Sequence, residues 1–315
     1  MKKKFILQLF IFSIPVVIAT FVLDVVLTKS LKRSRRSDYA VWNDLFNSKI
    51  NSDIVIYGGS RAFAHFNPKI IEDSLGLNTY NLGINGHNFY MEYLRHKILL
   101  KYNKKPKLII LSLDYNTLQK GKDLYNSKQF LPYLKDPDVR TATSTYNGFD
   151  YFDYHLPLIR YTGRTKELGY AMSSLVHPGS KTSDYYKGHK GRTKQWSEGV
   201  DAILESTKKI TISFDSATVI LFESFIKETI KAGINLIFVY TPEQIKGQKF
   251  VLNRDQMFSL FHYFSDTYHI PFYDYSNDSI CYNKQYFYNS AHLNAEGADL
   301  FTREFIKNLR KEVSK

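Results

Sequence analysis

The sequence predicts an α/β fold: a doubly wound, mainly parallel sheet of the flavodoxin-like kind, with an N-terminal transmembrane helix and an insertion. Three observations lead to this prediction. Short apolar runs that end at glycine or proline recur along the 315 residues, segments with apolar residues at helical spacing separate them, and an uncharged apolar stretch lies near the N-terminus. Parallel strands need long crossover connections, usually helices, so this alternation indicates helices on both faces of one sheet.

The first element is the apolar stretch from Phe5 to Leu23, which has no charged residue and in which only Gln8 is strongly polar. About 20 helical residues at about 1.5 Å each cover the hydrocarbon core of a bilayer. No convincing small-x-small cleavage site follows, so we expect a retained anchor, with a cleaved signal peptide as the alternative. Positive charge flanks both ends of the stretch, and the positive-inside rule therefore does not fix its orientation.

Much of the formal charge of +13 lies close to this stretch. Residues 1–36 contain eight basic residues and one acidic residue, a net charge of +7. The basic run from Lys29 to Arg36 is expected to lie against anionic lipid headgroups or to form a solvated linker. Because no nucleic-acid-binding motif is present, we expect no nucleic acid partner. The single cysteine, Cys281, excludes an internal disulfide, and no metal site or cofactor is expected.

The remaining elements are predicted from where each periodic run stops. The first strand stops at two glycines, and the fourth stops before Pro242. The predicted strands are 53–57, 78–82, 107–113, 235–240 and 271–273, and the predicted helices are 68–75, 88–102, 215–232, 254–268 and 295–311. Residues from about 121 to 211 have weak periodicity and are interpreted as an insertion. The expected domains are 1–36, the anchor and basic linker, and 37–315, the α/β domain.

Two residues at opposite ends of the α/β domain could carry chemistry. Ser60 follows the first strand and two glycines, so a sharp turn could present its hydroxyl at the edge of the sheet. His292 lies in a loop before the last helix, from which its ring could reach the end of that strand. A serine hydroxyl becomes a useful nucleophile when a neighbouring base takes its proton. Taken alone, Ser60 could also be the N-cap of an ordinary turn.

Three motifs together resemble the SGNH or GDSL-like hydrolase superfamily. They are GGS at 58–60, GING at 83–86 and HLNAEGA at 292–298. The resemblance extends from about residue 53 to the end of the chain and implies the SGNH type of the α/β fold. It also implies a serine hydrolase that acts on ester bonds without a cofactor.

The resemblance assigns roles to individual positions. Ser60 matches the nucleophile of the superfamily, His292 its general base and Gly86 its oxyanion-hole glycine. The amides of Ser60 and Gly86 would stabilise a tetrahedral oxyanion, an effect of roughly 3 to 4 kcal/mol per donor. Asn116, in the sequence LDYN after the third strand, is the weaker match to a third donor. Arg61 could bind an anionic group of the substrate or pair with an acid inside the fold.

One departure from the superfamily concerns the residue that orients the histidine. The superfamily usually has an aspartate three residues before the histidine, and this chain has Asn289 there. An asparagine can accept a hydrogen bond from the ring but cannot stabilise the imidazolium by charge. In a serine-protease triad the same change costs up to about 10⁴ in rate. Asp274 and Asp278 are the alternative carboxylates.

The anchor and the resemblance together imply an envelope protein that adds, transfers or removes acyl groups on cell-surface glycans. The expected partners are an acylated glycan or acyl donor, membrane lipid and a membrane-bound O-acyltransferase. The domain would then face outside the cytoplasm. Two alternatives stay open: a non-catalytic accessory protein of the same fold, and a lipid or thioester hydrolase that faces the cytoplasm.

Overall fold

The structure is a computed structural model that describes residues 2–177, 179 and 185–314. Its centre is a five-stranded sheet, parallel throughout, with the order β2-β1-β3-β4-β5. The strands are β1 (Ile54–Gly58), β2 (Thr79–Asn81), β3 (Leu108–Leu113), β4 (Asn235–Tyr240) and β5 (Phe272–Asp274). The order reverses between β1 and β3, and in doubly wound sheets the carboxyl ends of the strands at such a switch point form a ligand-binding crevice.

The α-helices in the described part of the chain, in chain order, are α1 (Lys2–Leu31), α2 (Ser37–Phe46), α3 (Ser60–His65), α4 (Pro68–Leu75), α5 (Phe89–Tyr102), α6 (Pro137–Thr143), α7 (Tyr151–His155), α8 (Thr165–Val176), α9 (Glu198–Ser206), α10 (Ser216–Lys231), α11 (Ile245–Gln248), α12 (Arg254–Tyr268) and α13 (Ala295–Val313). Short 3₁₀ helices span Ser127–Tyr133, Ile159–Tyr161, Ser279–Tyr282 and Lys284–Tyr286.

Helices cover both faces of the sheet, which confirms the predicted doubly wound α/β fold. On one face Ile54 and Ile56 of β1 pack in a buried cluster with residues of α3, α4 and α13, among them Phe301 and Phe305. On the other face Tyr57 of β1 packs edge-on to a phenylalanine of α10, and rings from α5, α10 and α12 pack together. Alternate residues of the strand therefore bury on opposite sides, as parallel strands inside a doubly wound sheet require.

The chain divides into two compact units. One comprises Met1–Asn43 with Lys122–Thr182, and the other comprises Asp44–Gly121 with Ser183–Lys315. The sheet and the motifs at 58–60, 83–86 and 292–298 all belong to the second unit. The boundaries 1–36 for the anchor and linker and 37–315 for the α/β domain stay a prediction.

The first unit contains α1, which is long and apolar enough to cross a membrane over Lys3–Leu31. It includes the predicted apolar stretch, and Pro15 lies inside it. Asp24 near its C-terminal end is buried and pairs with Arg160, with 2.8 Å between Oδ2 and Nη2. Thr28 Oγ1 lies 2.8 Å from the hydroxyl of Tyr161. These polar contacts hold part of the insertion against α1.

Several short helices were not predicted from the sequence. Within the insertion, α6 and α7 are each preceded by an aspartate whose side chain accepts hydrogen bonds from backbone amides of the first turn: Asp136 for α6 and Asp150 for α7. Such caps stabilise helices of five to seven residues that have too few turns to show an apolar period. The helix α3 begins directly after the turn at the end of β1, with no side-chain cap.

Candidate active site

Ser60 is the first residue of α3, and a glycine turn at the end of β1 places it there. Gly58 has φ +141°, a conformation that side chains rarely adopt, and a Cβ at this position would lie 2.7 Å from the carbonyl oxygen of Ser112. Only glycine therefore fits between β1 and β3 at this point. As the first helical residue, Ser60 has a backbone N–H with no intrahelical acceptor. The turn thus exposes a hydroxyl and an amide together.

His292 reaches Ser60 from a small loop before α13. Its Nε2 lies 2.6 Å from Ser60 Oγ. Tyr288 stacks on the imidazole ring with 5.4 Å between the ring centroids, and its backbone N–H donates to the carbonyl of His292 over 3.1 Å. Asn294 caps α13 by accepting a hydrogen bond from the amide of Gly297. The loop is therefore held at both ends, and the ring has little freedom to leave the serine.

Asn289 fixes the tautomer of His292. Its Oδ1 accepts hydrogen bonds from the backbone N–H groups of Ala291 (3.0 Å) and His292 (2.9 Å). Backbone amides can only donate, so the oxygen of the side-chain amide must face them. The same oxygen lies 2.9 Å from His292 Nδ1. This nitrogen must therefore carry the proton, which leaves Nε2 with a lone pair that can accept only the hydroxyl hydrogen of Ser60.

Burial keeps His292 neutral. Desolvation is the main cause that lowers the pKa of its imidazole from 6.5 to about 4, and the positive charges of Arg61 and Arg192 lower it further. At neutral pH the ring is therefore an unprotonated base. The chain Asn289 to His292 to Ser60 has the connectivity of a catalytic triad, with an amide in the place of the carboxylate.

A second histidine, His65, supports the loop and was not identified from the sequence. Its Nε2 accepts a hydrogen bond of 3.0 Å from the backbone N–H of Leu293, and its Nδ1 therefore donates to Thr241 Oγ1 over 2.8 Å. The residue is fully buried, and desolvation holds its pKa well below 6.5. The ring of His65 lies edge-on to that of His292, with 6.1 Å between the centroids. It acts as a neutral support for the loop that carries His292.

The turn after β2 is tied to the start of α3. Asn81 donates from Nδ2 to the carbonyls of Ala62 (2.7 Å) and Phe66 (3.0 Å), and its Oδ1 accepts from the amide of Gly83 (2.9 Å). A Cβ on Gly83 would lie 2.4 Å from the amide nitrogen of Phe63. This close approach explains why the second glycine motif begins with glycine, and it sets the distance between the Ser60 turn and Gly86.

A cleft of about 250 Å³ lies beside Ser60 at the switch point of the sheet. It is lined by Ser60, Gly86, His87, Asn88, Asp114, Asn116, Gln119, Lys120 and Gly121. The structure thus brings Gly86 and Asn116 to the same cleft as the serine. The backbone N–H of Asn116 donates to Asp114 Oδ1 over 2.7 Å, and its side-chain oxygen lies 3.4 Å from Nε2 of Gln119. A side-chain hydrogen bond also joins Asn116 to Tyr115.

Two buried acids, neither of them predicted from the sequence, lie below the serine turn. A Cβ on Gly59 would lie 3.1 Å from Asp114 Oδ2 and 4.0 Å from Glu92 Oε1, so both carboxyl groups face this glycine. Burial is the main cause that raises both pKa values, that of Glu92 well above 4.5, and the negative charge of Asp114 adds to the effect on Glu92. Oε2 of Glu92 has no hydrogen-bond partner among the described residues. The pair therefore favours a neutral Glu92.

Arg61 is not brought to the cleft. It is buried, and its guanidinium donates from Nε to Thr241 Oγ1 over 3.0 Å and lies over the ring of Tyr240, 4.3 Å from the centroid. Its Nη1 is 3.8 Å from Oε2 of Glu243. The side chain of Arg61 points into the fold and lies near an acid there. Of the two roles that the sequence left open, binding an anionic group of the substrate or pairing with an internal acid, this position matches the second.

The alternative carboxylates also lie away from His292. Asp274 accepts hydrogen bonds from the backbone and the hydroxyl of Ser276, and Asp278 caps the 3₁₀ helix that follows it. Nδ1 of His292 instead contacts Asn289. The third position of the triad-like chain is therefore held by the amide in this structure.

Comparisons with known proteins found similar structures at low sequence identity. No protein-family model matches the sequence, and no curated protein matches it. Similar solved structures include an acetyl xylan esterase, with 13% identity, a TM-score of 0.42 and coverage of 81% of this chain and 98% of that chain. Another is a protein from Streptococcus pneumonia described as a platelet activating factor, with 10% identity, a TM-score of 0.43 and coverage of 86% and 90%. The chain itself is an α/β protein with a five-stranded parallel sheet and a Ser60–His292 pair at its switch point.

Proposed function

We propose that this chain is a membrane-anchored serine esterase or O-acyltransferase that acts on acyl groups of cell-envelope glycans. The observation that carries the proposal is the hydrogen-bond chain from Asn289 through His292 to Ser60, with 2.9 Å and 2.6 Å between the heavy atoms. Two backbone amides fix the orientation of Asn289, so the base is held in the tautomer that a nucleophilic serine needs. A hydrogen-bond chain of this kind in a half-buried loop is more than an N-cap requires.

In the proposed reaction Ser60 Oγ attacks the acyl carbonyl carbon while its proton moves to Nε2 of His292. The tetrahedral intermediate then collapses, the alcohol leaves with the proton from His292, and the acyl group stays as an ester on Ser60. In the second half, water or a sugar hydroxyl attacks this ester and gives its proton to His292. The acyl group leaves with the attacking oxygen, and Ser60 Oγ takes the proton back from His292. Atoms and charges balance in both halves, and no cofactor is needed.

The oxyanion is proposed to be bound by the backbone amides of Ser60 and Gly86 and by Nδ2 of Asn116. All three residues line one cleft with the nucleophile. Each preorganised donor of this type typically contributes about 3 to 4 kcal/mol to transition-state stabilisation.

The cleft indicates the size and polarity of the substrate. Its volume of about 250 Å³ is below the range of roughly 300 to 1,000 Å³ that is usual for drug-sized ligands. Four residues with polar side chains, Asn88, Asn116, Gln119 and Lys120, are among those that line it. A short acyl group on a hydroxyl-rich carrier fits such a cleft better than a long lipid chain. The proposed membrane anchor is α1, which is long and apolar enough to cross a membrane.

Two features of the His292 base favour a second candidate function. The amide of Asn289 cannot stabilise an imidazolium by charge, and the lowered pKa of His292 makes that ion harder to form. A chain that keeps the fold and binds a glycan or a membrane-bound O-acyltransferase without catalysis would tolerate both features. In that case Ser60→Ala would leave the cellular role intact.

The test measures hydrolysis of p-nitrophenyl acetate and p-nitrophenyl octanoate by the full chain in lipid nanodiscs, with and without an oligosaccharide acceptor. The proposal expects the acetate ester to be the better substrate and Ser60→Ala to reduce hydrolysis to background. Ser279→Ala, which removes a different hydroxyl in the same unit, is the matched control and should keep the activity. Acylated oligosaccharide would identify a transferase, and free acetate alone a hydrolase. Equal hydrolysis by Ser60→Ala and the unsubstituted chain would exclude the proposed nucleophile.

A further inference from the structure

Four large apolar or aromatic side chains in the first unit are exposed within nine residues of one another. They are Tyr151, Phe152, Leu156 and Ile159, here called the apolar rim, with exposed fractions of 68%, 55%, 44% and 40%. The first two belong to α7, Leu156 follows α7 directly, and Ile159 begins the 3₁₀ helix Ile159–Tyr161. Clustered exposed apolar groups on a folded protein usually mark a surface that contacts a partner or a membrane.

The rim is attached to α1 at Asp24. The backbone N–H of Leu158 donates to Asp24 Oδ1 over 3.0 Å, and Arg160 pairs with Oδ2 of the same carboxylate. Leu158 has φ +65°, a left-handed conformation that costs a leucine roughly 1 to 3 kcal/mol. The contact with Asp24 holds Leu158 in this conformation. The turn that carries Leu156 and Ile159 is therefore tied to one position along α1.

That position is the end of the apolar stretch. Asp24 is the first charged residue after Lys4, and the 19 helical residues between them span about 28 Å, close to the roughly 30 Å hydrocarbon core. A spanning α1 therefore places Asp24 at the boundary of the core. Leu156 and Ile159 lie within two residues of Leu158, at most about 7 Å away, which is comparable to the thickness of the interfacial layer.

The charges near the rim suit the same position. Asp24 is buried, and its carboxylate is neutralised by Arg160 and by Lys135 at 3.1 Å, so no isolated negative charge faces the headgroups. Lys29 follows Asp24 within two turns of α1, and Lys32, Arg33, Arg35 and Arg36 follow the end of this helix. This basic run would attract anionic lipids. Tyr and Phe side chains that are exposed at this level are typical of the interface between membrane and water.

We propose that the apolar rim is a membrane-contact surface, which enters the interfacial layer of the same bilayer that α1 crosses. The first unit then rests on the lipid in addition to being tethered to it. The proposal rests on the anchoring by α1 in the proposed function, and it commits to lipid as the occupant. A protein partner on the same surface is an outcome that the experiment distinguishes.

The test uses the full chain in nanodiscs of phosphatidylethanolamine and phosphatidylglycerol, with single cysteines that carry a nitroxide spin label. The positions are Phe152→Cys and Ile159→Cys on the rim, Phe12→Cys inside α1, and Ile220→Cys as the matched exposed apolar position of the second unit, 65% exposed. Cys281 is buried and its pKa is raised to about 11, so the unsubstituted chain serves as the labelling blank. Collision rates with oxygen, which enters lipid, and with a nickel chelate, which stays in water, report the depth of each label.

The proposal expects the Phe12 label to lie deep in the lipid and both rim labels to lie in the interface. Their accessibility to the nickel chelate should be at least threefold lower than that of the Ile220 label. Rim labels as accessible as the Ile220 label, with Phe12 in lipid, would overturn the proposal and direct attention to a protein partner. A Phe12 label in water would instead show that the anchoring is wrong. Circular dichroism checks each fold, and Leu156→Cys replaces any rim variant that unfolds.

Discussion

Replacing Asn289 by aspartate should raise the pKa of His292 and increase the reactivity of Ser60. Asn289 Oδ1 lies 2.9 Å from His292 Nδ1, which places the centres of the new charge and the imidazolium about 4 Å apart. At an effective dielectric constant of about 20 this pair contributes about 4 kcal/mol, or about 3 pKa units. Desolvation of the carboxylate offsets part of this gain, so we expect a rise of about 1 to 3 units.

The direction of the pH dependence follows from the role of the base. His292 accepts a proton only when it is neutral, so reactivity falls as the pH drops through its pKa. The unsubstituted chain should keep its reactivity down to about pH 4. Asn289→Asp should lose reactivity at about pH 5 to 7, the range obtained by adding the expected shift. Above that range it should react about 10- to 100-fold faster, because a carboxylate stabilises the imidazolium that forms during attack.

The assay is the rate of fluorophosphonate labelling between pH 3 and 9, with circular dichroism at each pH to exclude unfolding. Asn283→Asp is the matched control, because Asn283 also caps a short helix with its side-chain oxygen and gains the same charge. The control should leave both the rate and the pH profile unchanged. A profile for Asn289→Asp identical to that of the unsubstituted chain would refute the electrostatic coupling between residues 289 and 292.

Three further predictions concern the support of the site and of α1. Gly83→Ala should lower the free energy of unfolding by about 1 to 3 kcal/mol in denaturant titrations and slow the labelling of Ser60, because its Cβ would lie 2.4 Å from the backbone nitrogen of Phe63. The control is Gly199→Ala, where a Cβ would meet only a side-chain oxygen at 3.7 Å, and it should change neither quantity. Glu92 has a raised pKa in the folded state, so stability should fall as the pH rises above 4.5, and Glu92→Gln should flatten this decline in urea titrations at several pH values. Asp24→Asn should destabilise the first unit by about 3 to 5 kcal/mol, because it leaves the buried Arg160 without its anion. The destabilisation should appear as faster tryptic cleavage within residues 122–177, and unchanged cleavage would contradict this.

The sheet was predictable because its signal is local. Strands inside a doubly wound sheet are buried on both faces and therefore read as short apolar runs, and the glycines at 58 and 59 mark the end of the first one. The helices α4 and α12 have the predicted bounds, 68–75 and 254–268. The helices α6 and α7 of the insertion were not predicted, since seven and five residues are too few to show a period.

The candidate site was predictable only in part. Ser60, Gly86 and His292 stand in motifs whose order along the chain is informative, and the structure brings each of them to the switch point. His65 and Glu92 carry no such signal, because a buried polar residue on a helix cannot be distinguished from a surface one without knowing what packs against it. The orientation of Arg61 was equally undetermined, since it depends on residues about 180 positions away.

The central claim is that the geometry at Ser60 makes its hydroxyl a nucleophile. The most direct measurement is reaction of the folded full chain with a fluorophosphonate, followed by peptide mass spectrometry, for the unsubstituted chain, Ser60→Ala and His292→Ala. We expect a single adduct on Ser60 that is absent from Ser60→Ala and forms at least 100-fold more slowly in His292→Ala. A folded chain that forms no adduct, or one that labels at the same rate without His292, would contradict it.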